Sequence, residues 1–293
     1  VSPIGPGVVL DAVPEWFKEE RRFAVLEVGK RESLASEFCL KARFEAEGLG
    51  ELCEGPGGKL RENHEVSWER IRMANLALWL ARPSGVHVEL VVTKEPEPGP
   101  GGTAIRGRSL ESVRPRQQYA EARLTLQHMA TAHALATAIQ CVPHPSSVWT
   151  AVRFLWLALT DELWEARYMN LWIAIEALFG PQDGFEVSMK LRKRVARFLN
   201  SDDKGAVTAR DMVEGCYDLR SEALHGGRFQ SRTPELVEDL TLTSEGIMLT
   251  SLRKILNDAN LVSTFCSPSR DSYLDALTKG FPDRAPRKRK AII

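Results

Sequence analysis

The sequence predicts an α+β chain in two parts: a β-rich α+β N-terminal domain over residues 1–112 and an all-α helical bundle over residues 113–293. Three observations predict it. Apolar and polar residues alternate in several segments of the first half, the period of a half-buried strand. From about Arg116 the apolar residues recur at helical spacing instead. Between the halves lies EPEPGPGGT, residues 95–103, whose prolines and glycines exclude a helix or a central strand and favour a flexible linker or an exposed loop.

In chain order, residues 23–28 and 36–47 read as strands. In the second, Phe38, Leu40, Ala42 and Phe44 fall on one face and Glu37, Lys41 and Glu45 mostly on the other. Residues 68–81 place Ile71, Asn75, Leu78 and Trp79 on a helical stripe that Pro83 and Gly85 stop. Residues 86–93 (VHVELVVT) return to the strand pattern.

The second half reads as six helices. The first is long, 117–140, and Ser147 is placed to cap the next, through Thr160. Residues 163–179 put Trp164, Tyr168, Leu171, Trp172, Ile175, Leu178 and Phe179 on one face, stopped by Gly180-Pro181. Ser188 is expected to cap a fourth helix, through Leu199. Thr208 with Asp211 resembles a capping box for a fifth, ended by Gly226-Gly227, and Thr233-Pro234 opens a sixth that runs to about Asn257.

Composition narrows the function classes. At 43% hydrophobic and 27% charged, the chain is globular in character, and its 39 basic residues are balanced by 39 acidic ones. Contact with nucleic acid would therefore come from a local basic patch rather than from bulk charge. Five scattered cysteines with no C-x-x-C pair argue against a disulfide framework and for a reducing, cytoplasmic setting. The most apolar stretch, 154–160, is too short to span a bilayer, so no membrane partner is expected. Cys141-x2-His144 with His128 and His133 superficially suggests zinc, but the two histidines are five apart on one helix and diverge. Neither a metal nor a cofactor is expected. There is no phosphate-binding glycine loop, dinucleotide fingerprint or nucleophile elbow.

The strongest signal is an ordered set of helices. WIAIEALFG (172–180) is followed by SMKLRKRVARFL (188–199), and then by Tyr217-Asp-Leu-Arg220-Ser221-Glu-Ala-Leu-His225-Gly226-Gly227. This set resembles the HEPN superfamily, and specifically its Apea-like branch, over roughly residues 148–258. In that branch an "ALE-LF" helix, a basic "L-x-x-R-x-A-x-x-L" helix and a "Y-x-x-RS-x-x-x-HG" helix recur in this order. The resemblance implies metal-independent cleavage of RNA, in a defence or toxin role, at a composite site where two chains of a homodimer each bring Arg220 and His225 to one cleft. It also implies that Glu176 lies near Arg220. Ser221 stands where many catalytic members carry Asn, Asp or His.

Physical chemistry places constraints beside the resemblance. RNA cleavage without a metal needs a group to take the 2′-OH proton, a group to protonate the leaving 5′-oxygen, and a cation for the phosphorane. Positions five apart lie about 140° apart round a helix, so Arg220 and His225 do not share a face within an unbroken helix. Read alone, an Arg near a helix end pairs with an acid and a His before Gly is a common cap. Glu176, at the edge of an apolar face, calls for a partner: it is either in a structural salt bridge to Arg220 or Arg192 or a third catalytic residue beside Arg220 and His225. On the helix 188–200, Lys190, Arg194 and Arg197 fall on one side, with Arg192 and Lys193 between them and the apolar face. This basic face is either solvated or a phosphate track for RNA. The basic run 284–290 reads as a solubilising tail. Dense aromatic content in 149–179 points to an apolar surplus and a homodimer interface. The alternative to the ribonuclease is a non-catalytic dimerisation module that binds a nucleotide, RNA or a partner protein, with any regulatory partner unidentified.

Overall fold

A computed structural model describes residues 2–5, 8–12, 38–42, 58–84, 90–96, 103–109, 122–200, 202–224 and 233–281. Their contacts divide the chain into two units, residues 1–141 with 159–161, and residues 142–158 with 162–293.

In the first unit, strands β1 (Ser2–Gly5), β2 (Val8–Ala12) and β3 (Phe38–Ala42) form an antiparallel ribbon in that order. Helix α1 (Gly58–Ala81) follows, then the antiparallel pair β4 (Leu90–Pro96) and β5 (Thr103–Ser109), then α2 (Leu126–Gln140). Helices α1 and α2 pack along each other. The expected β-rich α+β domain is overturned. The strands have four to seven residues, whereas α1 has 24 and α2 has 15, and every described side chain of this unit belongs to a helix or its flanks. The described residues are predominantly helical, as in a helical bundle. Helix α1 starts ten residues before the predicted Trp68 because Gly58-Lys-Leu-Arg-Glu-Asn-His is polar and carries no apolar stripe to read. Instead of showing one apolar face, Met73–Ala81 is buried on every side.

Glu95 and Pro96 are not in a loop: they pair with Ala104 and Thr103 at the end of a two-stranded ribbon. Both strands of such a pair are edges, so a proline is tolerated there. Residues 97–102, the expected strand 23–28, His225, Gly226-Gly227 and the basic run 284–290 lie outside the described residues.

The second unit contains α3 (Ser147–Thr160, its last two residues grouped with the first unit), α4 (Trp164–Phe179), α5 (Val187–Leu199), α6 (Asp203–Leu224), α7 (Pro234–Leu256), α8 (Ala259–Phe265) and α9 (Arg270–Thr278). Helix α4 is central and packs on α5, α6 and α7. Its Tyr168, Leu171, Trp172, Ile175, Leu178 and Phe179 are all at 0% exposure. Each such side chain contributes about 1.5–3 kcal/mol through burial. Six of the seven predicted stripe residues are buried within the chain, and Trp164 is half-buried. Phe179, Phe198 and Phe265 close the core as a triangle of rings 5.3, 5.4 and 6.0 Å apart.

The helix ends show what local spacing conceals. Gly180 ends α4 with φ −65°, so the position does not need left-handed backbone; a Cβ there would meet the Glu176 carbonyl oxygen at 2.6 Å. Two arginines from other helices donate to the last carbonyls of α4: Arg270 to Ala177 and Gly180, and Arg194 to Phe179. Cations suit this end of the helix dipole. Ser188 is inside α5, whose N-cap is Glu186 at φ 51°. Thr208 is inside α6, which begins at Asp203. Ser146, one residue before the predicted cap, accepts the Trp149 N–H of α3. Thr233 caps α7 as expected, with Pro234 in the first turn. Beyond Asn257, Asp258 accepts the N–H groups of Asn260 and Leu261 and starts α8.

Candidate functional site

Three helices bring three of the predicted site residues, Glu176, Arg192 and Arg220, together around Tyr217; His225 lies outside the described residues. Helix α4 supplies Trp172 and Glu176, one turn apart. Helix α5 supplies Arg192, and α6 supplies Glu214, Tyr217, Asp218, Arg220 and Ser221. The Tyr217 ring is the hub. The Arg192 guanidinium lies 5.5 Å and the Arg220 guanidinium 5.6 Å from its centroid, and Trp172 meets it edge-on at 5.5 Å.

Arg220 and Glu176 form an ion pair. Nη2 of Arg220 lies 3.0 Å from Oε1 and donates to Oε2 at 3.1 Å. The one hydrogen bond runs from Nη2 to Oε2, unlike the two-nitrogen fork that makes Arg–carboxylate pairs strong. Arg220 Nε and Glu176 Oε1 are buried without a hydrogen-bond partner. The side chains keep 19% and 24% of their surface exposed. Burial pushes the Glu176 carboxyl above its usual range, and the charge and hydrogen bond of Arg220 only partly offset this.

The basic helix is laced to acids from elsewhere. Arg192 pairs with Glu214 at 3.1 Å and with Asp218 at 3.6 Å. Arg194 is 1% exposed and bonds to Asp275 at 2.8 Å. Lys190 pairs with Asp183 at 2.9 Å, and Arg197 with Asp203 at 2.6 Å. Arg197 also lies 5.1 Å from the Phe281 ring. Arg194 is thus a core residue, not part of a surface track; the others are partly exposed and partnered. Ser221 is half-buried on α6.

Tyr217, Glu214 and Asp218 are the site residues that composition and spacing did not single out. Tyr217 stood in the quoted motif, but nothing in the sequence marks it as a shelf for two guanidiniums. Among the histidines weighed for zinc, His128 closes a capping box with Thr125 and His144 stacks on Trp149 at 3.6 Å. Among the described residues no group of three or more His, Cys, Asp or Glu side chains is placed to hold a metal ion, and no helix is long and apolar enough to cross a membrane. No protein-family profile matches the chain, and no curated protein and no solved structure matches it either.

Proposed function

We propose that the chain is a HEPN-type, metal-independent endoribonuclease in which Arg220 and His225 act on one phosphodiester. The observation that supports this reading is the Glu176–Arg220 pair. It joins two of the three helices that carry the quoted motifs, and it leaves the Arg220 side chain partly exposed, with its buried Nε unpartnered. In the reaction the 2′-oxygen attacks phosphorus and the P–O5′ bond breaks, giving a 2′,3′-cyclic phosphate and a 5′-OH. His225 takes the 2′-OH proton or gives one to the leaving 5′-oxygen, and Arg220 holds the negative phosphorane oxygens. One histidine per chain fills one of the two proton-transfer roles, and a second copy of the chain supplies the other across a homodimer. A defence or toxin role goes with the resemblance, and a cytoplasmic setting with the scattered cysteines.

The test is cleavage of single-stranded RNA in excess EDTA by wild type, Arg220→Ala, His225→Ala and the double variant. Loss of a general acid–base group costs ~10²–10⁴-fold, and loss of a charge stabiliser ~10²–10³-fold. Because both serve one transition state, the double variant should be little worse than either single one. Cleavage of the matching DNA, which lacks the 2′-OH, or full activity in His225→Ala, overturns the mechanism.

A second reading, a non-catalytic binding or assembly module, is favoured by one observation. The acids paired with Arg192, Arg194 and Arg197 leave α5 less able to track a phosphate backbone. RNA binding that is lost in Arg220→Ala, with no cleavage by any variant, selects this module.

A further inference from the structure

Arg220 is held by its carboxylate partner in an incomplete way. A structural Arg–Glu pair at a half-buried position gains most when two guanidinium nitrogens meet two oxygens. Here Nη2 alone makes the contact, Oε1 sits 3.0 Å away without hydrogen-bond geometry, and Nε has no partner. Meanwhile the Tyr217 ring, with the Trp172 edge against it, supports the guanidinium independently of Glu176. Arg192, on the same ring, is already matched by two acids, Glu214 and Asp218. Arg220, faced by one carboxylate where Arg192 is faced by two, is therefore the less compensated guanidinium of this site, and Glu176 is what stands on it. The carboxyl gains little by staying ionised there, since burial works against its charge.

We propose that Glu176 is an internal competitor, a carboxylate seated on Arg220 where a phosphate oxygen would bind, which must be displaced before the site engages a polyanion. The proposal rests on the reading of Arg220 as the phosphate-binding cation. It differs from a purely structural role for Glu176 in sign. A structural partner, once removed, leaves anion affinity unchanged or lower because the guanidinium loses its orientation. A competitor, once removed, leaves it higher, because the Tyr217 and Trp172 shelf still holds Arg220.

The test uses inorganic tripolyphosphate as the probe, titrated calorimetrically into the full chain in EDTA at neutral pH and low salt. Glu176→Gln keeps the shape and removes the charge. Glu176→Leu removes the charge at similar volume, and serves if the amide variant folds poorly. Binding should be about tenfold tighter than wild type, ~1.4 kcal/mol, in whichever variant folds, and adding Arg220→Ala should abolish the gain. Equal or weaker binding, no binding by any variant, a gain that persists without Arg220, or failure of both variants to fold overturns the competitor role. RNA cleavage is scored separately. Arg220-dependent cleavage without a tripolyphosphate gain keeps the ribonuclease and discards the competitor. A tripolyphosphate gain with no cleavage by any variant does the reverse.

Discussion

Arg194→Ala should unfold the helical unit far more readily than its place in a basic run would imply. The side chain is 1% exposed, and its guanidinium makes three hydrogen bonds to two partners: Nε and Nη2 donate to Asp275 at 3.2 and 2.8 Å, and Nη1 donates to the Phe179 carbonyl at 3.1 Å. Asp271 lies 3.6 Å away. Truncation removes the cation from the C-terminus of α4, leaves the Phe179 carbonyl without that donor, and opens a hole beside the phenylalanine triangle. Asp275 keeps 59% of its side chain exposed and stays solvated, so the cost falls on the buried Phe179 carbonyl that loses its donor, about 1–3 kcal/mol. At about 2–4 °C per kcal/mol for a domain of this size, the melting temperature should fall by roughly 2–12 °C. Lys190→Ala, one turn away, breaks an exposed pair with Asp183 and should leave the melt unchanged within error. Circular dichroism at 222 nm on the full chain compares the two. If the variants melt together, the account of Arg194 as a buried cap on α4 is wrong. Arg194→Gln supplies a second check: if Arg194 were part of a phosphate track, the salt slope of RNA binding would drop by about one; it should not change.

Three further outcomes follow from other parts of the molecule. Ser146→Ala removes the side-chain acceptor for the Trp149 N–H at 3.1 Å, and should cost ~1 kcal/mol by urea titration; no loss would show that α3 does not depend on this cap. A maleimide added to native protein should label exposed Cys141 and spare Cys216, whose thiol burial pushes up to about 11, until denaturant is added. Peptide mass spectrometry reads this, and labelling of Cys216 at the rate of Cys141 would contradict the packing around α6. For Glu176 the folded carboxyl binds its proton more tightly than the unfolded one. Wild type should therefore gain stability relative to Glu176→Gln as the pH falls through the raised value toward 4.5, and lose that advantage as the pH rises. Urea midpoints of the two proteins between pH 4 and 8 check the sign, and a gap that widens toward neutral pH refutes it.

The sequence was legible where one helix buries one face. The 3.6-residue period over 163–179 named six of the side chains that sit at 0% exposure in α4, because the apolar stripe is itself the packing surface. Thr233-Pro234 placed the start of α7 for a similarly local reason. Legibility failed where the deciding partner was distant. The strand reading of the first half rested on alternation over a few residues, while the polar first turns of α1 carry no period and left the first ten of its 24 residues uncounted. The cap of α4 comes from Arg194 and Arg270, 15 and 90 positions beyond the carbonyls they serve, and no spacing rule reaches that far.

The basic helix and the Arg220 site make the same point about charge, with opposite outcomes. Counting cations on α5 gave a patch, but a patch attracts phosphate only if its neighbours leave the charge uncompensated. Asp183, Asp203, Glu214, Asp218 and Asp275 come from loops and helices before and after α5, and they meet four of its cations. Glu176 was legible because it was the exception in its own helix: a carboxylate at the rim of an apolar face needs a cation, and Arg192 and Arg220 were the named choices. The packing of α4 on α6 selects Arg220, while Glu214 and Asp218 take Arg192. Spacing within a helix shows which face carries a charge. Whether that charge is free to act is decided by which helix lies against it, and at Arg220 the opposing charge is a single carboxylate on a single nitrogen.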